Sequence, residues 1–348
     1  MQNLFDDDAQ ECVLIRREEV LLPDYLPDEL LHRSDELQAI ADAVKPLLRK
    51  RDSDNLFIRG KSGTGKTSCA KFVMKQLSEH SPNVLPVYVN CWENPTKSSV
   101  FNRIIEAMEL PLPRRGLGPD ELFDRMLQFI RNYSKPVLLV LDELDGLQHE
   151  DLLYLVARAN EKPGILFGII GISNNPGFLS KLDPRVRSSL RFSEMEFREY
   201  SEEQLFSILK ERATLGLAEG SYDEKLLRKI ARSVDDGSAR IALERLWKAA
   251  KHAEGRGSRN IMLQDLADSE DGIRPGAVPS EIEEMVVKKL KEGQSTSSKL
   301  YESLGIDRSK RQFMNYLYLL EKKGVIIMDE QPQAGGNEKF RPRVCRLK

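Results

Sequence analysis

The sequence predicts an α/β protein, with a parallel sheet covered by helices on both faces, then a region of helices and a small C-terminal domain. Three observations predict this fold class. Short apolar runs alternate with helical patterns in the first half of the chain, which is typical of a covered parallel sheet. From Tyr200 to about Asp268 the pattern is helical. Residues 269–279 are rich in glycine, proline and acidic side chains, which predicts a linker before the last domain.

The first predicted strand, residues 55–59, leads into a glycine-rich loop. The loop matches the pattern G-x-x-x-x-G-K-[ST] and stands between an apolar run and a helix, as that pattern requires. Glycine lets backbone N–H groups turn toward phosphates, and the helix adds its positive N-terminal end. Lys66 would supply a cation and Thr67 a hydroxyl group for Mg²⁺. The predicted nucleotide-binding residues of this loop are Gly60, Lys61, Ser62, Gly63, Thr64, Gly65, Lys66, Thr67 and Ser68.

Two carboxylates stand at the end of the third predicted strand, which follows a second strand at 84–90. Residues 137–141 are an unbroken apolar run, which indicates a buried parallel strand, and Asp142 and Glu143 come directly after it. Ligands bind at the carboxyl ends of such strands. We therefore expect Asp142 to hold Mg²⁺ together with Thr67, and Glu143 to polarise the attacking water.

Polar residues at two later positions also fit a nucleotide site. The fourth strand, 165–172, is followed by Asn174, which could simply close a turn. Next to the Asp142 strand, however, such a tip points at the γ-phosphate, so we interpret Asn174 as a phosphate-sensing, water-positioning residue. A fifth strand is predicted near 191–193. Arg240 stands in the first turn of a helix, where the helix dipole disfavours a cation, and this indicates an anionic partner.

The C-terminal domain reads as a winged helix. Helices beginning at Ile282, over 297–304 and over 308–323 are followed by strands at 325–328 and 343–347. The whole chain has a net charge of −2, but residues 276–348 hold 14 Lys and Arg against 10 Asp and Glu. A charged face can be merely solvated, and winged helices also bind proteins, but this basic excess favours duplex DNA. The predicted DNA contacts are Arg308, Lys310 and Arg311 at the start of the recognition helix, and Lys339, Arg341, Arg343 and Arg346 along the wing.

The remaining totals exclude several classes of protein. The four cysteines are far apart, form no metal-ligand spacing and do not suggest a disulfide scaffold. No apolar run of about 18 residues is present, and the acidic start is unlike a signal peptide. We therefore expect a cytoplasmic protein. The predicted domains are an N-terminal arm (1–22), a nucleotide-binding α/β domain (23–198), a helical lid (199–270) and the winged helix (271–348).

Several short motifs, in order, resemble one known family. They are Leu31-His32-Arg33, the loop at 60–67, Tyr88-Val89-Asn90-Cys91, Leu141-Asp142-Glu143-Leu144-Asp145, Gly171-Ile172-Ser173-Asn174, Asp183-Pro184-Arg185-Val186 and Gly237-Ser238-Ala239-Arg240. From about Leu22 onward the chain resembles the archaeal origin-recognition and cell-division-control initiators, which are AAA+ ATPases. Two departures stand out: Ser238 occupies a position where many relatives have Asp, and Arg187 competes with Arg185 for one role.

The resemblance implies roles for particular residues. Asn174 would be sensor 1, and Arg240 sensor 2 would touch the γ-phosphate from the lid. Arg185 would be the arginine finger that acts on a neighbouring subunit, with Arg187 as the alternative. The segment 175–183 would contact the DNA backbone. The residues implied to pack against adenine are Tyr25, Leu26, His32 and Arg33.

The resemblance also implies a function. We expect an ATP-dependent replication initiator that binds ATP or ADP with Mg²⁺, hydrolyses ATP slowly and binds duplex DNA at origins, associated with the nucleoid. It would help to load the replicative MCM helicase, together with initiator paralogues. The alternatives are a nucleotide-gated paralogue that regulates transcription, and a clamp-loader or helicase-loader type ATPase without site-specific DNA binding.

Overall fold

The computed structural model describes residues 14–110, 116–266, 280–291, 293, 295–304, 313, 317, 320, 321, 325–330 and 343–347. The chain forms two compact units, Met1–Leu266 and Ala267–Lys348. Within the described parts of both units, no helix is long and apolar enough to cross a membrane.

A five-stranded parallel sheet lies at the centre of the first unit. Its strands are β1 (Leu56–Arg59), β2 (Leu85–Asn90), β3 (Val137–Asp142), β4 (Phe167–Ser173) and β5 (Ser193–Glu196). They lie in the order β2-β3-β4-β1-β5. Asn90 is paired with Asp142, and Arg59 with Ser173, so the carboxyl ends of these four strands meet at one edge of the sheet. The predicted parallel sheet is confirmed.

The apolar run in β3 is explained by burial on both faces. Side chains of a strand alternate between faces. Leu139 and Leu141 therefore pack in one hydrophobic cluster, and Leu138 and Val140 in another on the opposite side. Every residue of β3 and β4 is buried, so neither strand has a solvent-facing side on which polar residues would alternate with apolar ones.

Helices cover both faces of this sheet, as the sequence predicts. In chain order the helices before the lid are α1 (Glu18–Leu21), which packs against the lid instead of the sheet, then α2 (Ser34–Leu48), α3 (Lys66–His80), α4 (Lys97–Ala107), α5 (Pro119–Tyr133), α6 (Asp151–Ala159), α7 (Phe178–Lys181) and α8 (Pro184–Leu190). Residues of α2 and α3 share a hydrophobic cluster on one face, and residues of α4, α5 and α6 on the other. Thr96 caps α4: its hydroxyl accepts from the backbone N–H of Ser99, whose hydroxyl accepts from the Thr96 N–H.

Three helices form the lid that follows the sheet. They are α9 (Glu202–Gly216), α10 (Glu224–Arg232) and α11 (Ala239–Gly255). Their core also contains Leu14 and Leu21, from the start of the chain. Trp247 of α11 donates a hydrogen bond to Glu18 (2.9 Å), which ties α1 to the lid. Within the predicted arm, 1–22, Leu14 and Leu21 therefore complete the core of the lid.

The second unit contains α12 (Ser280–Lys291), β6 (Ser295–Thr296), α13 (Ser297–Leu304), β7 (Ile326–Glu330) and β8 (Arg343–Leu347). These strands form an antiparallel sheet in the order β6-β8-β7. Phe313, Leu317 and Leu320 are helical and buried, at the spacing of one helix face, where the third helix is predicted. Its other predicted residues, and the predicted DNA contacts Arg308, Lys310, Arg311, Lys339 and Arg341, lie outside the described residues, as does the side chain of Arg343.

Candidate nucleotide-binding site

The loop of residues 60–65 joins β1 to α3 and turns through two left-handed glycines. Gly63 has φ +79° and Gly65 has φ +90°, conformations that side chains with a Cβ atom rarely adopt. Space is restricted as well, because a Cβ atom on Gly65 would lie 2.7 Å from the hydroxyl of Tyr200. α3 begins at Lys66, so its first N–H groups lie beside the loop, where a phosphate would be stabilised.

Lys66 is the first residue of α3, beside this loop, and only 5% of its surface is exposed. Its ammonium group donates to the carbonyl oxygens of Gly60 (2.8 Å) and Lys61 (2.7 Å) and to the side-chain oxygen of Asn174 (2.8 Å). Burial lowers the pKa of Lys66 to about 8, and the positive charge of Arg240 contributes to the lowering. The structure therefore brings Lys66 and Asn174, which are far apart in sequence, into direct contact.

Asp142 lies at the end of β3, where three donors fix its carboxylate. One oxygen accepts hydrogen bonds from the hydroxyls of Thr67 and Tyr88, both at 2.7 Å. The other accepts from the backbone N–H of Glu143 (2.9 Å). The predicted Mg²⁺ role of Thr67 and Asp142 requires them to lie close together, but no pattern in the sequence predicts the contact with Tyr88. Its hydroxyl hydrogen bond depends on the pairing of β2 with β3, which no local pattern specifies.

Glu143 follows in a left-handed backbone conformation, with φ 51° and ψ 48°. Such a conformation costs free energy for a residue with a side chain and is concentrated at functional sites. A short 3-10 turn, Leu144–Gly146, comes directly after it. This turn ends β3 sharply and leaves Glu143 half-buried in the wall of a cavity.

The cavity lies between the loop, the carboxyl ends of the strands and the lid. The predicted site residues that line it are Ser62, Gly63, Gly65, Lys66, Thr67, Ser68, Asp142, Glu143, Asn174 and Arg240. Gly60, Lys61 and Thr64 belong to the same loop but lie outside the lining. Lys61 instead points its ammonium group at Glu199, 2.5 Å away.

The lid reaches the loop through the first turn of α11. Ser238 caps this helix by accepting from the backbone N–H of Ile241, and the N–H of Ala239 donates to the carbonyl oxygen of Gly63 (3.0 Å). Arg240 follows, with its side chain on the cavity. A cation is thus placed over the phosphate-binding loop, close enough to Lys66 to lower its pKa.

The residues expected to pack against adenine lie elsewhere. Arg33 is 4% exposed and forms hydrogen bonds inside the protein, and His32 makes a left-handed turn with φ 60°. The ring of Tyr25 stacks against the guanidinium group of Arg212, whose carbon lies 4.7 Å from the ring centre. Leu26 also lies outside the lining.

Apolar residues near those positions line the cavity instead. They come from the segment before α2 and from the lid: Pro23, Pro27, Leu30, Leu31, Ile208 and Leu243. Together they form an apolar wall suited to a flat base. The resemblance implies a role for the segment before α2 but not which of its side chains face the cavity, because the lid residues that lie opposite come much later in the chain.

Arg185 and Arg187 lie on α8, exposed and away from the cavity lining. Asp183 begins this helix by accepting from the backbone N–H of Arg185 (2.8 Å). Action on a neighbouring subunit stays a prediction for both arginines.

Thr67 and Asp142 fit a magnesium ion. Mg²⁺ is usually held by one or two protein oxygen atoms, with phosphates and water completing its coordination. The Thr67 hydroxyl and the Asp142 carboxylate touch at 2.7 Å and supply two such atoms. Among the described residues, no group of three or more His, Cys, Asp or Glu side chains could hold a metal without a nucleotide.

Comparison with known proteins agrees with this geometry. Residues 49–174 match the AAA domain, and residues 206–271 match the Cdc6 AAA+ ATPase-type lid domain. The chain is 35% identical over 270 residues to the ORC1-type DNA replication protein 1 of Aeropyrum pernix, a match that covers 74% of this chain and 68% of that protein. The chain belongs to the ORC1-type DNA replication protein family.

Two further comparisons show how much of this ORC1-type chain is similar to known proteins. It is 36% identical over 260 residues to the ORC1-type DNA replication protein 1 of Sulfurisphaera tokodaii, covering 73% of this chain but only 65% of that protein. Its structure is similar to that of the Aeropyrum pernix ORC1 protein in complex with DNA, with a TM-score of 0.72 and 27% identity, covering 96% of this chain and 94% of that one. The predicted AAA+ fold with a lid is therefore confirmed.

We expect the nucleotide affinity of this ORC1-type chain to fall as the pH rises above 8. In the free protein the pKa of Lys66 is about 8, whereas bound phosphates would favour the ammonium form. Binding above that pH therefore takes up a proton, and affinity should fall by up to ~10-fold per pH unit. Calorimetric titration of ADP in buffers of different ionisation enthalpy measures both quantities. A pH-independent affinity without proton uptake would contradict the assignment.

Proposed function

We propose that this chain is an ATP-dependent initiator of DNA replication. The observation that carries the proposal is the contact of Lys66 with Asn174, and of Thr67 with Asp142, beneath a lid helix that presents Arg240. Chains of the ORC1 type are named for DNA replication, and this family membership supports the biological role.

In the proposed reaction the loop binds the phosphates of ATP. Lys66 and Arg240 would neutralise their charge, and Mg²⁺ held by Thr67 and Asp142 would stabilise the charge that develops on the transferred phosphoryl group. Glu143 would accept a hydrogen bond from the attacking water, and Asn174 would orient that water. Turnover by one subunit would be slow, because a trans-acting arginine, Arg185 or alternatively Arg187, can raise such rates ~10³-fold or more.

The C-terminal unit would bind duplex DNA as a winged helix. The antiparallel sheet β6-β8-β7 and the helical, buried Phe313, Leu317 and Leu320 support this assignment. The partners would be duplex DNA at origins, the replicative MCM helicase and other initiator paralogues, and the protein would be cytoplasmic and associated with the nucleoid. A transcription-regulating paralogue would bind DNA without recruiting helicase, and a loader-type ATPase would bind it without sequence preference.

Replacement of Arg341 and Arg343 by Ala should weaken DNA binding on all sequences alike, because both are assigned to phosphate contacts in the wing. If about five phosphates are neutralised, log affinity should fall with log salt with a slope of about −4.5, and losing two contacts should change that slope to about −2.7. Fluorescence anisotropy over a salt series measures both. Arg125→Ala with Arg158→Ala removes the same charge from the first unit and serves as the control. Unchanged binding by the wing variant would refute the wing assignment.

Footprinting on fragments of the protein's own chromosome tests the proposal as a whole. It should use the wild type and Glu143→Gln at two salt concentrations, followed by a helicase pull-down on the protected fragments. Discrete protected sites that recruit helicase would support an initiator. Discrete sites without helicase would favour the regulator, and weak binding without sequence preference would favour the loader.

A further inference from the structure

Arg33 is a buried arginine, and each of the three nitrogen atoms of its guanidinium group donates a hydrogen bond. Its Nε donates to the carbonyl oxygen of Thr64 (3.2 Å) and to the hydroxyl of Tyr200 (3.0 Å). One terminal nitrogen donates to the Glu36 carboxylate (2.6 Å), and the other to the carbonyl oxygen of Arg198 (2.7 Å). The group also lies 4.0 Å from the ring centre of Tyr200. Arg33 therefore connects the phosphate-binding loop to the segment that enters the lid.

The same two regions are joined a second time by backbone hydrogen bonds. The backbone N–H of Tyr200 donates to the carbonyl oxygen of Gly237 (3.2 Å), and two residues later the N–H of Ala239 donates to the carbonyl oxygen of Gly63 (3.0 Å). A Cβ atom on Gly63 would lie 1.9 Å from the Ser238 hydroxyl, so the loop and the lid helix are in direct contact. These hydrogen bonds form a closed circuit of contacts. Thr64 of the loop is bonded to Arg33, Arg33 to Tyr200, Tyr200 to Gly237 before α11, and Ala239 of α11 to Gly63 of the loop.

We propose that Arg33 is a positioning residue that couples the phosphate-binding loop to the helical lid. It rests on the proposed nucleotide binding at the loop. A shift of the Thr64 carbonyl when phosphate binds would disturb a guanidinium group that is almost fully buried, where a lost acceptor is costly. Tyr200 and Arg198 must then move with the loop, and Tyr200 holds Gly237 at the start of α11. Arg33 thus acts on nucleotide response through the lid and does not contact the base.

Arginine suits this role better than lysine. Its planar group carries five N–H donors in a fixed arrangement, which can serve acceptors in several directions at once. The acceptors of Arg33 belong to the loop, to α2 and to the segment before the lid. A lysine ammonium group would keep the charge and the Glu36 ion pair but could not reach all of them. Arg33→Lys should therefore preserve the fold and weaken the coupling.

Amide hydrogen exchange tests the coupling at the bond that closes the circuit. The segment 237–243, which contains the Ala239 N–H, is compared with and without Mg²⁺ and ADP, at ADP well above each variant's own dissociation constant. In the wild type ADP should slow exchange in this segment. In Arg33→Lys and Tyr200→Phe that slowing should shrink about tenfold, while exchange in β3 stays unchanged. Tyr200→Phe keeps the ring and removes only the hydroxyl, so it remains informative if Arg33→Lys does not fold.

Arg228→Lys is the matched control. Arg228 also lies against an aromatic ring, that of Phe206 at 4.1 Å, and pairs with Glu203, but it does so at the surface of the lid. This variant should respond to ADP as the wild type does. Equal slowing in the wild type, Arg33→Lys and Tyr200→Phe would overturn the coupling. Failure of the wild type to bind ADP would instead refute the proposed function. In that case the coupling would be judged from exchange of the segment 237–243 without ADP. Equal exchange rates in the wild type and Tyr200→Phe would then overturn the coupling.

Discussion

Lys66→Ala should raise the dissociation constants for ATP and ADP at least ~10²-fold. The ammonium group lies in the phosphate-binding loop, and a hydrogen bond to a charged group contributes roughly 1.5–3 kcal/mol, so two lost contacts to phosphate exceed the 2.7 kcal/mol that a hundredfold change requires. Binding of ADP by isothermal titration calorimetry at pH 7 provides the measurement.

Lys75→Ala is the control for this variant. Lys75 lies on the same helix, α3, but at the surface, where its ammonium group is 3.5 Å from Asp28. This variant should bind ADP as tightly as the wild type. A Lys66→Ala protein that is folded by circular dichroism and still binds ADP within about threefold of the wild type, a difference below 1 kcal/mol, would show that the phosphates lie elsewhere.

Glu143→Gln should lower single-turnover ATP hydrolysis by about 10²–10⁴-fold and leave nucleotide binding nearly unchanged. Glutamine has the same shape but cannot take up a proton, and a positioned general base contributes rate factors of that size. Glu143 lines the cavity directly after Asp142, which the Thr67 and Tyr88 hydroxyls hold in place. Rapid-quench measurement of phosphate release, with enzyme in excess over ATP, separates the chemical step from product release.

Glu161→Gln is the companion control, because Glu161 pairs with Arg158 at the surface beyond α6. Its hydrolysis rate should equal that of the wild type. If Glu143→Gln hydrolysed ATP at the wild-type rate while Glu161→Gln did too, Glu143 would not be the base. Asn174 and Arg240, which face the same cavity, would then account for positioning the water.

The sequence predicts that the glycine-rich loop and the ends of β3 and β4 lie together, because the interactions that specify their positions are local. The loop, the apolar run of β3 and the polar end of β4 each carry their own pattern within a few residues. The carboxyl ends of parallel strands lie at one edge of the sheet. This arrangement alone is enough to bring Asn174 to Lys66 and Asp142 to Thr67. An anionic partner for Arg240 is also predicted, since a cation in the first turn of a helix is unusual.

The base half of the site could not be predicted in the same way. The resemblance implies that Arg33 packs against adenine, but the structure holds its guanidinium group against Tyr200, which lies 167 residues later in the chain. Tyr25 is likewise held by Arg212, whose guanidinium group donates to its carbonyl oxygen (3.1 Å). Both arginines are fixed by contacts between distant segments, which leave no periodic pattern. In the segment before α2, the side chains that face the cavity are those that take no part in these two contacts.

Residues 14–21 cannot reach their native place until the lid has been made. The guanidinium group of Arg212 holds the carbonyl oxygen of Val20, 192 residues earlier, and Leu14 and Leu21 belong to the core of the lid. A ribosome that adds ~5–20 residues per second needs roughly 10–40 s to cover that distance. During synthesis, therefore, Leu14 and Leu21 lack their native partners until the lid emerges. Their packing depends on a part of the chain that is made much later.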